Sequence, residues 1–234
     1  MFLDYTKTML KNKFLSWLNL TIMAIYTVPV TYAIWFVSLF NKYTKVKYYL
    51  AQSWVSPWMW AARAKTTFIK NYEYKKNQPY VVISNHLSNL DSMLLFRFLK
   101  IKWVFMAKKE VYKLPVFKTA AKAFNFIKVD RSIKNDNENI NKQAKVLFKN
   151  GWSLMVYPQG TRAKKDTFLP FKSGAFHIAL ENNVPILPVV IAGTGDIWPR
   201  GSKFMKSGKA IINTLDPIDI SKYTKDSIDE LVFE

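Results

Sequence analysis

Tyr80-Val81-Val82-Ile83-Ser84-Asn85-His86-Leu87-Ser88-Asn89-Leu90-Asp91 is the stretch from which the fold of this 234-residue chain is read. Residues 80–84 form a short apolar run bounded by polar residues, which predicts a buried strand. Met93 to Leu99 continues as a mostly apolar segment and predicts a buried helix. Ser88, with Asp91 three residues on, is a variant of the capping box that opens such a helix. His86 then sits in the turn and Asp91 in the first helical turn, within hydrogen-bonding reach of each other. A histidine held by a carboxylate is a general base. The carboxylate fixes the tautomer and stabilises the imidazolium formed when a hydroxyl proton is taken. Such a base activates a substrate hydroxyl directly, without a serine or cysteine nucleophile.

Downstream the pattern repeats. Strand-like runs fall at 80–84, 101–106, 126–130, 152–157, 186–192 and 209–215, and helix-like stretches at 89–99, 115–123, 137–149 and 172–182. This alternation predicts an α/β domain with a mixed, largely parallel sheet flanked by helices. Active sites in such sheets collect in the loops that follow strands. Three of these loops carry chemistry: His86 and Asp91 after the first strand, Asp130-Arg131 after the third, and Tyr157-Pro158-Gln159-Gly160-Thr161-Arg162 after the fourth. Gly160 permits a tight turn, and the Thr161 hydroxyl and Arg162 guanidinium are donors for an anion. Arg131 and Arg162 converge on a phosphate if their strands are neighbours. Lys108 and Lys109, after the second strand, border the same region. His177 falls inside a helix and reads as structural.

Residues 1–75 form an N-terminal membrane-associating helical region, and residues 76–234 the α/β domain. Residues 14–41 contain no charged side chain. As one helix they extend about 42 Å at 1.5 Å per residue, more than a bilayer core of about 30 Å. Pro29 lies near the middle, and lysines flank both sides: Lys7, Lys11 and Lys13 before, Lys42, Lys45 and Lys47 after. Two arrangements fit: one tilted span, or a helical hairpin dipping into one leaflet. The symmetric flanks give no orientation by the positive-inside rule. The run is too long for a cleaved signal peptide and lacks a small-x-small cleavage site. Tyr48, Tyr49, Trp54, Trp58 and Trp60 follow without charge, a composition suited to the headgroup boundary.

Composition narrows the chemistry. The chain has no cysteine and only His86 and His177, which argues against disulfides and thiolate or histidine metal sites. The formal net charge is +19, nearly all from lysine. That excess suits anionic lipid, phosphorylated substrates, an acidic carrier protein or nucleic acid. Only Arg63, Arg97, Arg131, Arg162 and Arg200 are arginines. Each invites a reason beyond charge, such as a bidentate phosphate clamp. No nucleic-acid motif is present, and the apolar front end argues against a nucleic-acid partner.

Taken in order, these blocks resemble the glycerolipid acyltransferases typified by 1-acyl-sn-glycerol-3-phosphate acyltransferase. The family's N-H-x4-D block matches Asn85 to Asp91. A second block matches Lys108-Lys109-Glu110 through Leu114-Pro115 and ends in Ile127-Lys128-Val129-Asp130-Arg131. The third matches Tyr157 to Arg162, followed by Leu169-Pro170-Phe171-Lys172-Ser173-Gly174-Ala175. The fourth matches Val184-Pro185-Ile186-Leu187-Pro188-Val189. The resemblance covers roughly residues 80–195. It implies a membrane-bound enzyme in which His86, oriented by Asp91, deprotonates the sn-2 hydroxyl of a lysophospholipid. That hydroxyl attacks the thioester of an acyl-CoA or acyl-carrier protein, giving phosphatidic acid with no cofactor, metal or acyl-enzyme. Arg131 and Arg162 hold the acceptor phosphate, with Lys109 beside them, and Gln159, Gly160 and Thr161 shape the acceptor loop. The implied location is the cytoplasmic face of the cell (inner) membrane, on an anionic lipid surface. Two residues depart from the family pattern: Gln159 stands for the usual glutamate and Asn125 for a common glycine. Gln159 leaves open another lysolipid acceptor. A different class of function, a non-catalytic basic protein coating anionic membrane, is also consistent with charge and aromatic content alone.

Overall fold

The chain opens with two helices, α1 (Phe2–Phe40) and α2 (Val46–Ala61). There follow β1 (Ala64–Lys70), β2 (Val81–Ser84), α3 (Leu90–Phe98), β3 (Trp103–Lys108), α4 (Pro115–Ala123), β4 (Ile127–Val129) and α5 (Asn137–Lys149). The remainder is β5 (Ser153–Val156), α6 (Gly174–Asn182), β6 (Ile186–Ala192), a short α7 (Thr194–Ile197), β7 (Gly208–Thr214) and α8 (Ile228–Phe233). The computed structural model describes residues 2–70, 74–75, 77–113, 115–130, 137–164 and 167–234.

The strands form one seven-stranded sheet in the order β1-β7-β6-β2-β5-β3-β4. β6, β2, β5, β3 and β4 run parallel, while β7 is antiparallel to β6 and parallel to β1. This is the mixed, largely parallel sheet expected. Every residue of β2 is buried, as a central strand covered on both faces requires. The core includes Trp103, Trp152 and Tyr80, each almost completely enclosed. Residues 64–70 lie in the stretch grouped with the helical front end, yet β1 is the edge strand paired with β7 over its whole length. Its alternating exposure and lysine ends hide it in the sequence.

α1 is continuous through Pro29, so no hairpin forms within residues 14–41. The helical pair is α1 with α2, joined at 41–45. Asn19 Nδ2 donates to Ala61 O at 2.8 Å and Trp54 Nε1 to Thr27 Oγ1 at 2.9 Å, which fixes the two helices antiparallel. A mid-helix proline removes one backbone donor and costs about 3 kcal/mol, and packing along α2 and the sheet domain offsets this. α1 is long and apolar enough over Lys13–Phe40 to cross a membrane by length and composition. It is nonetheless held to the α/β domain at both ends: Ser16 Oγ donates to Met205 O at 3.1 Å, and Ser38 Oγ to Ala123 O at 3.1 Å. Those anchors are about 33 Å apart along the helix. A perpendicular crossing would carry Met205 and Ala123 to opposite sides of the bilayer, so α1 lies along the domain. Its outer face bears Phe14, Trp17, Ile25, Trp35, Phe36 and Phe40, all exposed.

The aromatic stretch divides. Tyr48 is buried and its hydroxyl donates to Leu99 O; Trp54 bonds α1; Trp58 stacks on Trp198. Only Tyr49 and Trp60 are left largely exposed, so three of the five aromatics serve packing. Lys47 is fully buried beside them. Its ammonium donates to Ala123 O at 2.9 Å and to Lys42 O, and lies 4.8 Å from the centre of the Trp152 ring. Burial pulls its pKa down to about 8. Asn125 adopts φ 60°, the left-handed backbone for which glycine is common, and its amide donates to Lys42 O at 2.8 Å.

Candidate active site

β2 ends at Ser84 and α3 begins at Leu90, so His86 and Asp91 face each other across one short turn. His86 Nδ1 and Asp91 Oδ2 are 2.7 Å apart. Asp91 has no solvent exposure. Its Oδ2 also accepts the backbone N–H groups of Leu87 at 2.6 Å and Ser88 at 2.8 Å. A carboxylate so enclosed by donors has an acceptor role toward His86, which places the imidazole proton on Nδ1 and leaves the Nε2 lone pair free. The ring is 19% exposed, enough to meet a substrate hydroxyl. The N-cap of α3 is Asn89, which makes no side-chain cap bond, one residue after the Ser88 expected from the sequence; Ser88 Oγ accepts from Leu90 N at 3.2 Å and donates to Trp198 O at 2.8 Å.

The parallel arrangement sets the C-terminal ends of β2, β5, β3 and β4 along one edge. The loop after β5 covers His86. Tyr157 stacks face to face on the imidazole, with centroids 3.8 Å apart and planes at 8°, and its hydroxyl meets Ser92 Oγ at 3.1 Å. Burial, then the Asp91 charge, pushes the Tyr157 phenol well above its ordinary pKa. Tyr157 therefore stays protonated and packs its ring on the imidazole. Gln159 is buried, accepts the His86 N–H through Oε1 at 2.8 Å and donates through Nε2 to Leu169 O at 3.3 Å. Both ends of its amide are thus engaged inside the protein. Ala163 N donates to His86 O at 2.8 Å.

Gly160 has φ 71° in the turn closed by its N–H to Tyr157 O. Thr161 is exposed. Arg162 Nη1 donates to Asn89 Oδ1 at 3.0 Å, tying the loop to the start of α3. Lys109 pairs with Asp130 at 2.8 Å, and that carboxylate raises the lysine pKa. Arg131 lies outside the described residues. Its strand β4 is separated from β5 by β3, so the neighbouring strands needed for Arg131 and Arg162 to converge are not neighbours. The spacing from β4 to β5 is about 10 Å. The arginine brought to the Arg162 loop is Arg200, whose Nη1 donates to Arg162 O at 2.8 Å.

Two further residues escaped sequence reasoning. Thr194 is fully buried and its hydroxyl donates to Asp91 Oδ1 at 2.5 Å. It follows β6, so a further loop after a strand was available as a signal, but the place of β6 beside β2 was not. Gly193 lets the chain enter that loop: at φ 79°, a Cβ there would stand 2.1 Å from Lys209 O. Asn85 clasps the same strand, accepting Ile191 N and donating to Ile191 O, both at 2.8 Å. His177 sits within α6, apart from these contacts. Among the described residues no three His, Cys, Asp or Glu side chains gather as a metal-ligand set.

A buried carboxylate, an oriented imidazole and an arginine-bearing loop form a site able to take a proton from a hydroxyl near an anionic group. Residues 66–192 match the model of the acyltransferase family. The 1-acyl-sn-glycerol-3-phosphate acyltransferase of Limnanthes douglasii is 32% identical over 165 residues, covering 70% of this chain and 58% of that protein. The human 1-acyl-sn-glycerol-3-phosphate acyltransferase alpha is 31% identical over 161 residues, covering 68% and 57%. The fold is similar to the crystal structure of the 1-acyl-sn-glycerophosphate (LPA) acyltransferase from Thermotoga maritima, with a TM-score of 0.80, 23% identity, and 96% of this chain and 92% of that one covered. The chain belongs to the acyltransferase family. It spans 58% of the length of the Limnanthes relative.

Proposed function

We propose that the protein is a membrane-bound O-acyltransferase that moves a fatty acyl group from a thioester to the sn-2 hydroxyl of 1-acyl-sn-glycerol-3-phosphate. The observation that carries this reading is the enclosed His86–Asp91 pair, with Nε2 left free. His86 takes the hydroxyl proton as the oxygen attacks the thioester carbonyl. The new C–O bond forms, the C–S bond breaks, and the proton passes from the imidazolium to the departing thiolate. The products are phosphatidic acid and the free thiol of CoA or of acyl-carrier protein. The reaction as written draws on no metal or cofactor. Arg162 and Thr161 meet the acceptor phosphate, with Arg131 and Lys109 as further candidates. Gln159 and Gly160 shape the loop that carries them. An apolar cavity of about 680 Å³ begins at Ile83, Ser84 and Asn85, immediately before His86, and is lined by Phe168, Phe176 and Leu231. It is suited to an acyl chain.

The exposed apolar face of α1 and the rings of Tyr49 and Trp60 seat the protein in one leaflet, on the cytoplasmic face of the cell membrane where acyl thioesters are made. An anionic surface there matches the basic chain, and nucleic acid is not a partner in this reading. The case for another lysolipid acceptor rested on Gln159, whose amide is spent on the backbone of His86 and Leu169. Transfer from acyl-CoA, and in parallel from acyl-carrier protein, to labelled lysophosphatidic acid tests the proposal against His86→Ala. Transfer that disappears with His86 is expected. Undiminished transfer in the variant would overturn the base, and no transfer to any lysolipid would favour a non-catalytic membrane coat.

A further inference from the structure

Residues 198–206, between α7 and β7, form a compact loop. Its ends meet, with Lys206 N donating to Ile197 O at 2.8 Å. Inside it Trp198 Nε1 donates to Ser202 O at 2.9 Å, Ser202 N to Pro199 O at 3.0 Å and Ser202 Oγ to Phe204 O at 2.8 Å. Loops closed on themselves in this way are packed by their own side chains, so a contact on one side of the loop is felt on the other. One side meets the helix pair. Ser16 Oγ of α1 donates to Met205 O at 3.1 Å and accepts Met205 N–H at 3.3 Å, and Lys13 Nζ lies 5.7 Å from the centre of the Phe204 ring. From α2, Trp58 stacks on Trp198 with centroids 6.3 Å apart and planes at 14°. Trp54 packs edge-on against Trp58 at 5.8 Å and bonds Thr27 of α1. These fastenings interleave with the face that seats the protein: Phe14 and Trp17 flank Ser16, Trp60 is two residues from Trp58, and all three are exposed.

The other side of the loop meets the site. Trp198 O accepts the Ser88 hydroxyl at 2.8 Å, and Ser88 N–H is one of the donors to Asp91 Oδ2. Trp198 N donates to Thr194 O at 2.9 Å, and the Thr194 hydroxyl holds Asp91 Oδ1. Arg200 Nη1 donates to the Arg162 carbonyl. One loop therefore touches α1, α2, both residues that orient the far side of the Asp91 carboxylate, and the arginine-bearing loop. A misplacement of about 1 Å at a reacting group costs on the order of 100-fold in rate, so the seat of this loop bears on the chemistry although none of its side chains reaches His86.

We propose that loop 198–206 is a positioning element through which the helix pair α1–α2 aligns the His86–Asp91 turn and the Arg162 loop, with the Trp58–Trp198 stack as its joint. The helices then serve the reaction as well as the attachment. The proposal rests on the acyl-transfer reading given above for its kinetic consequence, and on geometry alone for its effect on the turn. Full-length protein in detergent is assayed with lysophosphatidic acid and acyl thioester, and amide exchange is followed at Leu87 and Ser88, whose N–H groups bind Asp91. Trp58→Leu keeps apolar bulk but loses the stack, and Ser16→Ala frees the loop from α1. Each lowers kcat roughly 2- to 10-fold, the size of one aromatic pair or hydrogen bond, with little change in KM, and speeds exchange at Leu87 and Ser88. Trp58→Phe restores most of both. Ser38→Ala, which loosens α1 at its other fastening to Ala123, leaves kcat and exchange as in wild type. Thermal melting checks that each variant is folded under the assay conditions. Wild-type kcat and exchange in Trp58→Leu and Ser16→Ala would overturn the proposal. Equal losses in Ser38→Ala would reduce the effect to general loosening and overturn it too. Absence of transfer by the wild type would overturn the acyl-transfer reading alone. Exchange then decides the positioning role, and unaltered protection of Leu87 and Ser88 in Trp58→Leu would end it.

Discussion

Thr194 and His86 hold opposite oxygens of one carboxylate: the Thr194 hydroxyl donates to Asp91 Oδ1 at 2.5 Å, and His86 Nδ1 meets Oδ2 at 2.7 Å. The carboxylate plane, and hence the direction of the imidazole, is set from both sides. Thr194→Val removes a donor from a fully buried anion while keeping the volume. A hydrogen bond to a charged group contributes about 1.5–3 kcal/mol, which is roughly 10- to 150-fold in rate if it is felt in the transition state. We expect kcat to fall by that order with little change in KM, and Thr194→Ser to restore most of it. Steady-state kinetics alongside melting curves check this. Wild-type turnover in Thr194→Val would remove Thr194 from the orienting set.

Gln159 is matched to two opposite partners, a backbone N–H at His86 and a backbone carbonyl at Leu169. Glutamate keeps the first contact but sets a carboxylate oxygen against the Leu169 carbonyl in a buried place. The carboxyl then gains a bond only when protonated, so its folded pKa is raised above the unfolded value of about 4.3. Stability of Gln159→Glu relative to wild type is preserved below that value and lost as pH rises through the folded pKa. A deficit of about 1–3 kcal/mol at neutral pH is expected. Denaturant titrations at several pH values give the measurement, and a pH-independent difference would contradict the hydrogen-bond assignment.

How far the sequence carries depends on whether a feature is local. α4 and α5 follow their expected bounds at 115–123 and 137–149 because start signals and amphipathic spacing lie within each segment. The His86–Asp91 pair was legible for the same reason, since five residues and a capping turn create it. Thr194 reaches Asp91 only because β6 lies beside β2, an adjacency that strand patterning does not encode. The same gap left open whether the strands before Arg131 and Arg162 are neighbours, and β3 lies between them. Pro29 suggested a break that packing against α2 overrides. β1 was missed because half its side chains face outward at a sheet edge and lysines mark its ends.

Arg162 and Arg200 share a loop contact, with the Arg200 guanidinium bound to the Arg162 carbonyl. If this loop meets the acceptor phosphate, Arg162→Ala removes the direct partner and raises KM for lysophosphatidic acid more than it lowers kcat. Arg200→Ala frees the loop and raises KM less. Charge-assisted hydrogen bonds contribute about 1.5–3 kcal/mol, which is roughly 10- to 150-fold in kcat/KM for Arg162. Kinetics with varied acceptor at saturating donor separate the two constants. Unchanged KM in both variants would move the phosphate site elsewhere, toward Lys109 and Arg131.

Lys47 offers a pH readout of how the front end is fastened. Its ammonium is fully buried among Tyr43, Phe124 and Trp152, and is held by the carbonyls of Ala123 and Lys42, with no carboxylate beside it among the described residues. Folding lowers its pKa from 10.5 to about 8. Between these values the unfolded chain binds more protons than the folded one, so this residue's contribution to stability rises with pH across the window. Below pH 8 the whole penalty of burying the charge is present, and above 10.5 it is gone. The difference across the window is about 3 kcal/mol. Lys47→Met keeps the stem and the aromatic packing but removes the titration. Melting measured from pH 7 to 10.5 is expected to show wild type gaining on Lys47→Met as pH rises. Parallel curves over that range would show that the ammonium is solvated in the folded protein, and that the carbonyls of Ala123 and Lys42 do not hold it.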